Sequence, residues 1–206
     1  MEIYSTEEQQ VEAIKRFWKD YGTSILAGAV IGLGALYGWN YYSQYKIDQT
    51  EAASEAFNVA LSKSTDEAAT LAAAAAFDKD HAQPGYSALM QLVVAKAAAE
   101  AGNFDKAVTA LQQVLDNKPS AAVAAIASLR MARLQAEQGQ LDAALTTLSK
   151  VADEAFAAEK AELEGDFYAR KGDGEKARSA YALAIEKGGA ALSPALQMKL
   201  DNLNQA

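Results

Sequence analysis

Apolar and polar residues follow two different rules along this chain. From Tyr21 to Tyr45 no Asp, Glu, Lys or Arg occurs, and the centre, Ile25 to Trp39, reads ILAGAVIGLGALYGW. A helix drawn through that run is apolar on every face. After residue 46 the rule changes. Apolar residues recur three and four apart, broken by short turn-forming stretches, which is the period of amphipathic helices. The two patterns predict one membrane span followed by an all-α domain.

Roughly 20 residues at 1.5 Å each cross a hydrocarbon core of about 30 Å. The stretch from Gly22 to Tyr42 meets that length. Trp18 and Tyr21 stand before it, and Tyr37, Trp39, Tyr41, Tyr42 and Tyr45 at its far end. Trp and Tyr favour the headgroup level, where one part of the ring is apolar and the other can hydrogen-bond. A buried helix of a soluble protein is the alternative, disfavoured because the run is uncharged on every face and rimmed by aromatics. A cleaved signal peptide would need small residues after the apolar run, and Trp39-Asn40-Tyr41-Tyr42 is bulky. The span is therefore read as an uncleaved anchor. Lys15, Arg16 and Lys19 precede it and Lys46 follows it. The positive-inside rule then puts the N-terminus in the cytoplasm and the rest outside.

Gly28-x-x-x-Gly32 and Gly34-x-x-x-Gly38 lie within the anchor, near one face of it. Glycines four apart let a second helix backbone approach closely, so Gly28, Gly32, Gly34 and Gly38 are candidate membrane-helix contacts. Glycine is also simply common in spans. Gly32-x-Gly34 imitates part of a dinucleotide loop, but the strand that such a loop follows is missing.

The segment from Ile47 to Ser62 continues as a helix, with Phe57 and Leu61 on one face. Ser64 or Thr65 offers a cap for a helix over 66–80. Asp78 to Gly85, with Pro84 and Gly85, reads as a loop. Three segments then align: GNFDKAVTALQQVL from Gly102, GQLDAALTTLSKV from Gly139 and GDGEKARSAYALAI from Gly172. The glycines recur at intervals of roughly 35 residues, a period that means stacked helix pairs. The first interval is slightly longer than the second. In each unit the glycine ends a first helix. Asp105, Asp142 or Glu175 sits in the first turn of the second helix, where the dipole favours an acid. Ala107, Ala144 and Ala177 are small enough for helix contact, and Leu111, Leu148 and Tyr181 supply bulk. A heptad coiled coil is the alternative, but a glycine at each break argues against one long helix.

This spacing resembles the tetratricopeptide repeat. Pro119 stands half a repeat after Gly102, where that family often closes its second helix; Phe156 and Gly189 take the place in the other units. Ala95, Ala132 and Gly165 match its small position, while its early tryptophan is missing. The fold class is all-α: a single N-terminal transmembrane helix, then a tetratricopeptide-like helical-repeat solenoid. The expected division is a tail over 1–20, the span over 21–45, capping helices over 46–83, and repeats over 84–206. Leu196, Leu200 and Leu203 mark a solvating C-terminal helix over 193–204.

Composition narrows the chemistry. There is no cysteine and one histidine, which excludes thiol catalysis and Cys-ligated metals and disfavours a His-based triad. After residue 45 there are 16 Lys and Arg against 22 Asp and Glu, which argues against polyanion binding. His81 is read as a solvated loop residue. Glu159, Glu162 and Glu164 crowd together, but carboxylates on an exposed helix are usually a charged surface. The chain is read as non-enzymatic and without cofactor.

Solenoids of this kind bind polypeptides on the face lined by the first helix of each unit. By alignment, that groove carries Leu89, Leu92 and Lys96, then Ile126, Leu129 and Arg133, then the acidic Glu159, Glu162 and Asp166. Leu92 and Leu129 can equally pack between units.

The whole chain is similar to the YfgM-type ancillary subunits of the Sec translocon in Gram-negative bacteria. The resemblance is carried by EIYSTEEQQVEAIKRFW, the glycine-rich span, and the repeats GNFDKA and GQLDAA. It implies a bitopic inner-membrane protein with a periplasmic repeat domain, associated with the SecYEG channel and the periplasmic chaperone PpiD. It implies a task of passing emerging polypeptides to periplasmic chaperones, and a role of the tail in turnover of a stress-response regulator. The same architecture would serve as a scaffold of another envelope assembly machine.

Overall fold

A computed structural model describes residues 7–205 of the chain. Every regular element in that range is helical. The chain divides into two compact units, Met1–Glu51 and Ala52–Ala206.

The first unit holds most of helix α1 (Glu7–Lys63). The helix runs unbroken through the charge-free stretch. Its most apolar 18-residue window has a mean hydropathy of 1.4, with 6% of that window buried. Leu26, Val30, Ile31, Leu33 and Leu36 are all exposed. By length and composition this helix can cross a membrane. The first six residues of the expected tail lie outside the described residues.

The second unit opens with the last turns of α1 and continues through α2 (Glu67–His81). Three helix pairs follow: α3 (Pro84–Glu100) with α4 (Phe104–Asp116), α5 (Ala121–Glu137) with α6 (Leu141–Ser149), and α7 (Ala157–Arg170) with α8 (Gly174–Glu186). A short turn α9 (Gly189–Leu192) leads to α10 (Ala195–Gln205). The expected all-α repeat architecture is observed.

Each pair is joined by the same turn. Gly102, Gly139 and Gly172 have φ of +78°, +79° and +80°. The Gly102 N–H donates to the Ala99 carbonyl at 3.0 Å, and the Asn103 N–H donates to the Ala98 carbonyl at 2.8 Å. Gly139 with Gln140, and Gly172 with Asp173, repeat the pattern. This is the Schellman motif, which satisfies the last carbonyls of a helix and needs a left-handed residue. Alanine follows at the helix crossing, where Ala107, Ala144 and Ala177 are each 0% exposed. Leu111, Leu148 and Tyr181 are buried beside them, as the repeat pattern requires.

The core forms three successive clusters. Phe77, Met90, Leu111, Val114 and Met131 anchor the first, against which Phe57 and Tyr86 pack. Leu129, Leu148, Leu163 and Phe167 anchor the second. Tyr181 and Leu196 anchor the third, with Leu200 and Leu203 alongside. The C-terminal helix therefore covers the last pair as expected, although it begins at Ala195.

Two local expectations are corrected. The N-cap of α2 is Asp66, not Ser64 or Thr65; its carboxylate accepts from the Ala69 N–H at 2.8 Å. The Ser64 hydroxyl instead donates backward to the Ala60 carbonyl at 2.9 Å, so it is engaged in finishing α1. The expected loop over 78–85 shrinks to Ala82 and Gln83. Helix α2 runs on through His81, and Pro84 serves as the first residue of α3, where its missing N–H costs nothing. His81 is thus the last residue of a helix, exposed, its ring centroid 6.3 Å from that of Phe77.

Candidate functional site: a repeat groove and an apolar helix

Helices α3, α5, α7 and α10 occupy corresponding positions along the stack. Lys96, Arg133, Asp166 and Lys199 fall at one register position, each a single repeat length beyond the one before. From Arg133 onward, charges at or near this position are paired between neighbouring helices. Arg133 donates to Glu159 of α7 at 2.6 Å. Lys199 donates from α10 to Glu162 at 2.8 Å and to Asp166 at 2.9 Å, both on α7. Ser193 also donates to Glu162, and the Tyr181 hydroxyl donates to Asp166, each at 2.8 Å. Lys96 differs. It meets Glu100 on its own helix, 3.6 Å away, with the two side chains 71% and 67% exposed.

Partial burial sharpens the electrostatics of the C-terminal network. Burial by itself would raise the Glu162 carboxyl, but hydrogen bonds from Lys199 and Ser193 and the nearby positive charge hold it below its ordinary range. Burial would lower the Lys199 ammonium; Asp166 and Glu162 more than offset that and hold it above its ordinary range. Burial and then Asp166 push the Tyr181 phenol upward. Glu164 lies on another face of α7, and burial lifts its carboxyl despite the charge of Lys160. The carboxylates near 160 are thus split. Glu159, Glu162 and Asp166 tie helices together, and Glu164 does not join them. The acidic stretch expected to continue the groove is engaged inside the protein.

The expected lining residues separate in the same way. Leu129 is 2% exposed and lies in the second core cluster with Leu163 and Phe167. Leu92 is half-buried against the first cluster. Leu89 is 39% exposed, Ile126 is half-buried and Arg133 is exposed. Leu89 also borders a cavity of about 500 Å³ that sequence reasoning misses, lined by Tyr86, Ala88, Lys118, Pro119 and Val123 among others. Tyr86, an aromatic in the first turn of α3, is its one visible sign. The cavity itself depends on the α4–α5 connection coming alongside α3, which no local pattern encodes.

In α1, apart from the adjoining residues and the helix's own backbone, no atom comes within 4 Å of the place where a Cβ would stand on Gly28, Gly32, Gly34 or Gly38. With about 100° per residue, the two glycine pairs centre roughly 120° apart around the helix. The expectation of one shared face gives way to two adjacent faces, each open to another helix. Among the described residues no group of three or more His, Cys, Asp or Glu is placed to hold a metal ion.

A stack of Schellman-linked helix pairs, together with an apolar helix long enough to span a membrane, defines a helical-repeat protein carrying one candidate membrane helix. Residues 15–205 match the family described as tetratricopeptide repeat-like domain. The chain is 36% identical over 206 residues to a protein of Escherichia coli (strain K12) named ancillary SecYEG translocon subunit, covering 99% of this chain and 100% of that one. A Haemophilus influenzae protein of the same name is 33% identical, with 96% of this chain and 97% of that one covered. One from Aggregatibacter actinomycetemcomitans is 34% identical over the same shares. The chain belongs to this tetratricopeptide repeat-like family of ancillary SecYEG translocon subunits.

Proposed function

We propose that the protein is a non-enzymatic, membrane-anchored interaction module of the Sec translocon that helps pass emerging polypeptides to periplasmic chaperones. The observation that carries this reading is the name shared by relatives aligned over nearly the full length, apolar helix included. The excess of basic residues before the span supports a cytoplasmic N-terminus and a periplasmic repeat domain. Residues 21–45 form the anchor in the inner membrane, after a tail over 1–20. Helices over 46–83 cap the solenoid, which runs over 84–206. The partners are the SecYEG channel and a periplasmic chaperone of the PpiD type, with emerging polypeptide clients reaching the groove.

Two surfaces divide the work. The glycine faces of α1 meet a helix of the channel. The groove over Leu89, Leu92, Lys96, Ile126 and Arg133 receives the chaperone or client, with Leu129 as its buried support. The test is purification of the full-length protein in mild detergent, beside a form lacking residues 1–45 exported by a cleavable signal. Translocon and chaperone subunits should accompany the full-length protein, and the channel subunits alone should be lost from the shorter one. Absence of translocon subunits from both would overturn the reading.

A further inference from the structure

The internal ion pairs show what the open end of the groove lacks. Arg133 and Lys199 each meet a carboxylate from a neighbouring first-position helix. Lys96 stands at the same register position, but one repeat length before Glu159 the helix α5 carries the apolar Ile126 rather than an acid. The charge at this step is met within α3 by the loose contact to Glu100. Seven residues earlier on the same helix, Leu89 is exposed at the edge of the 500 Å³ cavity, beside Tyr86 and Val123. Seven residues of helix are about 10 Å.

We infer that the groove between α3 and α5 takes a polypeptide segment of another protein that carries an apolar side chain and a carboxylate about 10 Å apart. The apolar group fills the cavity beside Leu89. The carboxylate meets Lys96 as Glu159 meets Arg133. This deepens the groove reading proposed above and rests on it. Charge complementarity chooses the partner. A basic segment would face the exposed ammonium of Lys96, and a purely apolar one would leave Lys96 without an intermolecular acid. The segments α5–α7 and α7–α10 are already closed by their own ion pairs, which places the free binding step at the N-terminal end of the stack.

The experiment uses full-length protein in lipid nanodiscs and a phage-displayed library of random peptides several helical turns long. Peptides selected on the wild type should be enriched in Asp or Glu about two helical turns from a large apolar residue. A synthetic copy of the strongest binder should lose about two- to fivefold in affinity for Lys96→Ala, the range of an exposed ion pair. Selection on Lys96→Glu should instead enrich Lys and Arg at that spacing. Leu89→Ala should weaken binding of the same peptide without changing the preference for an acid. No acid enrichment on the wild type, or the same enrichment on Lys96→Ala, overturns the inference. So does self-association of the protein that Lys96→Glu abolishes, which would give the face to a second copy. Copurification of translocon subunits with wild type and Lys96→Glu is measured in parallel. If the wild type brings them down while showing no acid preference, only the inference fails. If it does not, the functional proposal fails as well.

Discussion

Gly165 lies directly against the ring of Tyr181. A Cβ built on the glycine would overlap the Cδ1 and Cε1 atoms of that ring. The tyrosine cannot easily withdraw, because it is 3% exposed and its hydroxyl donates to Asp166 at 2.8 Å. Gly165→Ala should therefore destabilise the repeat domain by about 1–3 kcal/mol, the usual cost of overpacking a fixed core. Denaturation of single and double variants checks this. Much of the added penalty should vanish in a Tyr181→Leu background, where the obstructing ring is gone.

Leu129 and Leu89 are both groove residues by sequence pattern, and their burial predicts opposite behaviour. Leu129→Ala leaves a cavity in the second core cluster and should cost about 2–5 kcal/mol. Leu89→Ala, on the groove rim, should change stability by less than about 0.5 kcal/mol. Urea titration of the two variants beside the wild type separates core from rim. Equal costs would show that the two positions share one environment.

Asp66, rather than Ser64 or Thr65, caps α2. Asp66→Ala should cost about 1 kcal/mol and lower the thermal midpoint. Thr65→Ala should leave the midpoint nearly unchanged. A larger loss at Thr65 would restore the cap that the sequence suggests.

The Lys199–Glu162 pair carries a pH signature. Glu162 has its folded value held below the ordinary 4.5, so its contribution is present above that value and is lost as pH falls through the lowered one. Lys199 has its folded value held above the ordinary 10.5, so its share is present at neutral pH and is lost only in strong alkali. The stability gap between wild type and Glu162→Gln should thus be flat from about pH 6 to 9 and close in acid. Chemical denaturation across that range reads it directly.

Glu164 should behave in the opposite way. Burial raises its folded value, so its ionised form opposes folding at neutral pH and its penalty fades as pH falls. Glu164→Gln should raise the thermal midpoint at pH 7 and leave it close to the wild type near pH 4. A lower midpoint at neutral pH would mean that its charge serves a contact within the fold.

The local chemistry of this chain is legible without coordinates. A charge-free run rimmed by aromatics specifies a helix of membrane length because its apolar side chains stand on every face and its ends carry the rings that favour the headgroup level. Gly102, Gly139 and Gly172 specify helix turns because an L side chain strains at positive φ, and the alanines five residues later mark where two helices touch. These are properties of single residues and fixed spacings. The cap of α2 and its length past Asp78 escape the local pattern, since Ser64 and Asp66 offer rival oxygens close together and the hydrogen bonds made by neighbours decide between them. Tertiary structure alone decided the rest. Leu129 became core and Leu89 rim although both occupy the same helix-period pattern, because burial depends on which neighbour lies across from each. Glu159, Glu162 and Asp166 became internal partners of Arg133 and Lys199, because pairing joins positions 26 to 37 apart in sequence. Lys96 was left facing outward at the same step, and the cavity beside Leu89 formed where the α4–α5 connection passes α3. Periodicity fixes which face a side chain takes on its own helix; what stands opposite that face is set by how the helices stack.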